Sequence, residues 1–181
     1  MRYCLSVLLL SVAFLSAAQT NRALVDSLKF VDDMPYICED HTKSGVGCGA
    51  AVFWRVVQQK QAVIPDLINM LTDTTQTAAN VPNFGGQYAA GDVAYEALQE
   101  IIHGIPTFKL LGIKFDSNGC GYCAYWNHVR KDIRNRKKFQ AKVRDWYDKN
   151  KTNLAWINSN DFSGCDCPAP HPNGGHFELK K

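Results

Sequence analysis

The sequence predicts an all-α fold: a single helical domain with one long amphipathic helix and an irregular C-terminal tail anchored by disulfides. Three observations lead there. Between residues 120 and 156, Tyr122, Tyr125, Trp126, Val129, Ile133, Phe139, Val143, Trp146 and Tyr147 fall on one side of a helical projection. Arg130, Lys131, Arg134, Lys137, Lys138, Lys142 and Arg144 fall on the other. Shorter stretches upstream repeat apolar residues at helical spacing, and no succession of alternating strands and helices is visible. Beyond Asn158 the chain is rich in Gly, Pro, Asn and Ser, a composition suited to irregular structure.

In chain order, Met1-Arg2, the apolar run from Leu5 to Leu15 and the small residues Ser16-Ala17-Ala18 predict a signal peptide over residues 1–18. The expected location is secreted or periplasmic. No later run reaches the roughly 20 apolar residues of a membrane helix, so no membrane span is expected. The remaining chain, about 160 residues, is one domain's worth, read as a helical domain over 19–157 and a tail over 158–181.

The whole chain carries a net charge of +3, unevenly distributed. Seven Lys/Arg oppose eleven Asp/Glu between Gln19 and Cys123, whereas ten oppose three between Ala124 and Lys151. Only the long helix is basic, which argues against a dedicated nucleic-acid binder and leaves an acidic protein or an anionic envelope component as partners for that face.

A first helix is expected over 21–34, with Leu24, Leu28 and Val31 inward and Pro35 as its stop. Cys38 and Cys48 are expected to close a local disulfide around a polar loop. There Glu39, Asp40 and His41 read either as metal ligands or as a solvated acidic turn. Phe53, Trp54 and Val57 mark a helix over 50–60, and Pro65 suits the first turn of the next. Asp92 reads as an N-cap for a helix burying Val93, Ala94, Leu98, Ile101 and Ile102, ended by Gly104 and Pro106. The intervening loop, 74–90, is long and aperiodic. Asn83, Phe84 and Tyr88 within it are candidate contact residues, or aromatics tucked over the helix ends. Leu154 to Ile157 suits a short extended segment. About six helices are expected in all.

The run Ala62-Val63-Ile64-Pro65-Asp66-Leu67-Ile68-Asn69-Met70-Leu71-Thr72-Asp73, followed by Gly91-Asp92-Val93-Ala94-Tyr95-Glu96-Ala97-Leu98-Gln99-Glu100-Ile101, resembles the two helices of a HEAT repeat. The resemblance covers residues 62–104 and implies paired antiparallel helices and a binding scaffold. Ala94 stands where the family has a basic residue, the 74–90 insertion replaces a short turn, and a single repeat is visible.

Cysteines 38, 48, 120, 123, 165 and 167 suit an oxidising compartment. Cys120-Gly121-Tyr122-Cys123 at a helix start admits three chemistries. Disulfides from Cys120 and Cys123 to Cys165 and Cys167 would pin the tail along the long helix. A reactive thiolate pair would make a thiol–disulfide oxidoreductase, with Cys120 and Cys123 catalytic. In that setting Gly104-Ile105-Pro106-Thr107-Phe108 resembles the proline loop of thioredoxins, in reversed chain order. A structural zinc site would draw on Cys120, Cys123, Cys165, Cys167, His171 and His176. Glu100-x-x-His103 has di-iron spacing but lacks its second copy. Asp132 and Arg136 drift into the apolar sector of the long helix, as an ion pair or at a break near Asn135. The leading expectation is a non-enzymatic binding protein without a cofactor, its surface drawn from Asn83, Phe84, Tyr88, Arg130, Arg134, Lys137 and Lys138.

Overall fold

A computed structural model describes residues 21–35, 47–82, 84–115, 117, 121–159, 167 and 171–180. The fold is mixed rather than all-α. Among the described residues, seven helices are joined by two small antiparallel two-stranded sheets, and strand accounts for 16%. The helices are α1 (residues 21–26, continued by a 3-10 turn at Ser27–Phe30), α2 (Ala51–Val57), α3 (Ile64–Met70), α4 (Ala90–Ile101), α5 (Thr107–Leu111), α6 (Cys123–Lys131) and α7 (Ile133–Asn150). Strands β1 (Gln76–Asn80) and β2 (Gln87–Ala89) form one hairpin. Strands β3 (Leu154–Asn158) and β4 (Gly175–Leu179) form the other sheet.

Both sheets lie where the sequence suggests a loop or an irregular tail. Within 74–90, β1 and β2 pair as a hairpin, with Thr77 and Ala79 buried on alternate positions. The strand-forming signal is weak because those inward residues are small, not β-branched apolar or aromatic. In the tail, β4 pairs with β3 from Leu154↔Leu179 through Asn158↔Gly175. The extended segment expected at Leu154 to Ile157 is β3, and its partner is the part of the tail taken to be irregular.

Helix α4 is the hub. Apart from Glu96, Gln99 and Glu100, which are half-exposed, all its residues are buried. It packs on α2, α3 and the 3-10 turn Ser27–Phe30. Its start fits tightly against the end of α3. The Gly91 N–H donates to Asp73 O at 2.9 Å, and a Cβ on Gly91 would lie 2.6 Å from Leu71 O, so only glycine allows that approach. Pro65 occupies the first turn of α3 as expected. Tyr95 of α4 stacks on Tyr125 of α6 at 5.6 Å and meets Phe139 of α7 edge-on at 4.8 Å, which forms the aromatic centre of the core.

The long helix is two helices. It breaks at Asp132, whose carboxylate accepts the Arg134 N–H at 2.8 Å as the N-cap of α7. Asn135 Nδ2 donates to His128 O at 2.8 Å, satisfying a carbonyl at the end of α6. Asp132 therefore pairs with Arg134, not Arg136. Arg136 turns inward, 4% exposed, and meets Asp92, 0% exposed, at 2.6 Å. Asp92 is not an N-cap. It sits three residues inside α4 and reaches back to accept the Ala89 N–H at 3.1 Å.

The tail is fastened by a disulfide, but not to the long helix. Cys167 bonds Cys48, 119 residues away, just ahead of α2. The expected Cys38–Cys48 loop and any Cys167 link to Cys120 or Cys123 are thereby replaced. Trp54 Nε1 donates to Cys48 O at 2.6 Å and Gln58 Nε2 to Pro172 O at 3.0 Å, so α2 holds both sides of the junction. Cys123 is also disulfide-bonded, while Cys38, Cys120 and Cys165 lie outside the described residues.

Removing one partner of a buried ion pair strands the other charge and costs about 3–5 kcal/mol. Arg136→Met is expected to destabilise by that amount in denaturant unfolding. The Asp92→Asn/Arg136→Met double variant should lose less than the sum of the single losses. Additive losses would show that the two side chains do not act as a pair.

Candidate functional site

A cleft of about 550 Å³ opens along α4. The β1–β2 hairpin contributes Val81, Pro82 and Tyr88, α6 contributes Trp126, and Tyr122 stands just before α6. The floor is Glu96, Gln99 and Glu100, and the far end is Ile102, His103, Gly104 and Ile105. Its shape follows from contacts already described: Tyr88 meets Trp126 edge-on at 5.3 Å, which fixes the hairpin against α6.

Asp92, Glu96 and Glu100 are spaced by four and share one face of α4. Arg136 neutralises the first. Among the described residues no Lys or Arg lines the cleft that receives the other two. Glu96 shows part of its surface to the cleft, yet protein surrounds its carboxyl on the remaining sides. That burial, reinforced by repulsion from Glu100 and Asp92, pushes its pKa up to about 8. Burial alone pushes Glu100 up to about 7. Beside them the Tyr122 hydroxyl donates to Gln99 Oε1 at 2.8 Å. Gln99 Nε2 is buried with no partner among the described residues, a donor left for something else to satisfy.

At the far end, the His103 ring stacks on His176 at 3.5 Å and His176 Nε2 lies 3.0 Å from Glu178 Oε1. His171 Nε2 lies 3.5 Å from Glu100 Oε2. Burial, then the neighbouring His176, lowers the pKa of both His103 and His171, with Glu178 partly offsetting this at His103. The backbone sets the geometry here: the His103 N–H donates to Phe177 O at 2.9 Å, and Ile102 bridges Phe177.

The residues singled out from sequence are placed as follows. Phe84 is half-buried, Tyr88 is buried, and Asn83 lies outside the described residues. Arg130 grips the hairpin: it donates to Gln87 O at 2.8 Å and covers the Phe84 ring at 5.0 Å. Arg134, Lys137 and Lys138 are exposed on α7. Cys123 opens α6 in oxidised form and Cys167 is bonded to Cys48. Neither therefore presents a thiolate to a zinc ion. His171 and His176 instead meet the Glu100-x-x-His103 stretch of α4. Glu39, Asp40 and His41 lie outside the described residues.

Glu96 was not among the sequence candidates. Its signal is a helix apolar on almost every side that still carries acids at a spacing of four, so burial of some of them is unavoidable. No family model, curated protein or solved structure matches the chain. The HEAT resemblance accordingly rests on the packed pair α3 and α4 alone.

A carboxyl that holds its proton to about pH 8 when folded, against 4.5 for the free group, makes folding take up a proton between those values. Stability then falls as pH rises through that window. Glu96→Gln is expected to match the parent near pH 5 and to melt at a higher temperature at pH 9. Parallel melting curves for the two proteins from pH 5 to pH 9 would contradict the buried-acid assignment.

Proposed function

We propose that this chain is an exported, non-enzymatic binding protein whose cleft takes a small organic cation. The observation that carries the reading is the pair Glu96 and Glu100 facing a cleft whose wall holds no Lys or Arg among the described residues. An amine or quaternary ammonium supplies the missing positive charge and draws both carboxyls into the ionised form. The aromatic rings of Trp126, Tyr88 and Tyr122 on the opposite wall suit the same ligand through cation–π attraction. The Gln99 Nε2 donor, without a partner among the described residues, favours a ligand that also carries an oxygen acceptor. Export rests on the signal-peptide pattern together with the Cys48–Cys167 disulfide. Among the described residues no helix is long and apolar enough to cross a membrane.

A second surface belongs to the same reading. Arg134, Lys137 and Lys138 stand exposed on α7 and suit an acidic protein or an anionic envelope component. Arg130 is already engaged with the hairpin and contributes less to such a contact.

Calorimetric titration at pH 7.5 in chelator-containing buffer tests the cleft. Spermidine and tetramethylammonium are the cationic probes and mannitol the neutral one. The cations are expected to bind with proton release, visible as a buffer-dependent heat, and Glu96→Gln should weaken them at least tenfold. Equal binding of mannitol, or cation binding untouched by Glu96→Gln, would count against the reading, as would no cation binding at all.

A further inference from the structure

We propose that His103, His176 and Glu178 bind one divalent transition-metal ion of the zinc class. One ligand atom from each of these three side chains lies within 4.8 Å of the other two. The residues come from two parts of the chain. His103 follows the end of α4, while His176 and Glu178 occupy alternate positions of β4 and so share a strand face. Their backbones are tied to each other by the His103 N–H bond to Phe177 O and the Ile102–Phe177 bridge. The three donors therefore meet through main-chain pairing, and side-chain rotation alone adjusts them.

Two imidazoles and a carboxylate form the His₂Glu set that suits zinc, with metal–ligand distances of about 2.0–2.2 Å and a fourth position left for water or another ligand. The rings stack 3.5 Å apart, inclined by 14°, with a nitrogen of each within 4.8 Å of the other. Binding turns them so that the lone pairs converge on one ion. His103 is exposed, and His176 and Glu178 are half-exposed, so the turn meets little packing resistance. Zinc takes imidazole as a neutral ligand through a ring-nitrogen lone pair. His103 also borders the cleft, which places the fourth position within reach of its contents.

This inference stands apart from the cation reading, since it uses neither Glu96 nor Glu100. The test is a calorimetric titration of the chelator-stripped, oxidised full chain with zinc chloride, with no amine present, alongside thermal melts. One zinc per chain and a higher melting temperature are expected. His103→Ala and His176→Ala should each weaken zinc at least tenfold, and His128→Ala on α6 should leave it unchanged. His103→Asn and His176→Asn, checked by circular dichroism, keep the test valid if an alanine variant fails to fold. Absence of zinc binding overturns the proposal. So does binding retained in both the His103 and His176 variants, because the ion then sits elsewhere.

Discussion

A row of three carboxylates, of which one meets a guanidinium among the described residues, shapes this molecule. Asp92, Glu96 and Glu100 repeat every four residues along α4, a helix otherwise almost wholly buried. Like charges at that spacing repel, and burial raises the cost of each. Arg136 resolves the first position. Its guanidinium reaches Asp92 from α7 inside the core, and that pairing ties α7 to the start of the hub helix. The other two acids are left to the cleft, where they hold their protons to about 8 and about 7.

The rest of the architecture serves the two ends of the same helix. At its start, Gly91 allows the end of α3 to approach within backbone hydrogen-bonding distance, and Asp92 satisfies the Ala89 N–H. At its end, β4 takes over: Phe177 pairs with Ile102 and accepts from His103. The Cys48–Cys167 bond and the contacts of Trp54 and Gln58 hold the turn before β4 against α2. The tail thus carries His171 to Glu100 and His176 to His103, just past the end of α4. A covalent anchor for the tail was a sound expectation, but its attachment point is the N-terminal side of α2.

Local chemistry made the helices legible. Pro65 opens α3, and the buried set Val93, Ala94, Leu98 and Ile101 marks α4 at helical spacing. The drift of Asp132 and Arg136 into the apolar sector did signal a disturbance. What it could not show was that the helix breaks at Asp132 itself and that Arg136 finds its acid 44 positions upstream. The strands were hidden for a different reason. Thr77 and Ala79 bury too little to look like a strand, and β4 is defined by pairing with β3 rather than by its own composition. Half of the far-end cluster was visible as Glu100-x-x-His103. Its partners sit about seventy residues later, beyond the reach of any local pattern.

The central claim is that no Lys or Arg among the described residues pairs with Glu96 or Glu100. Carbon-13 NMR of side-chain-labelled glutamate, titrated from pH 4 to pH 10, reads it directly. Two carboxyl resonances should titrate late, with midpoints near 8 and near 7, and each should vanish in the matching glutamine variant. If both groups titrate near the ordinary 4.5, the acids are compensated or solvated and the account fails.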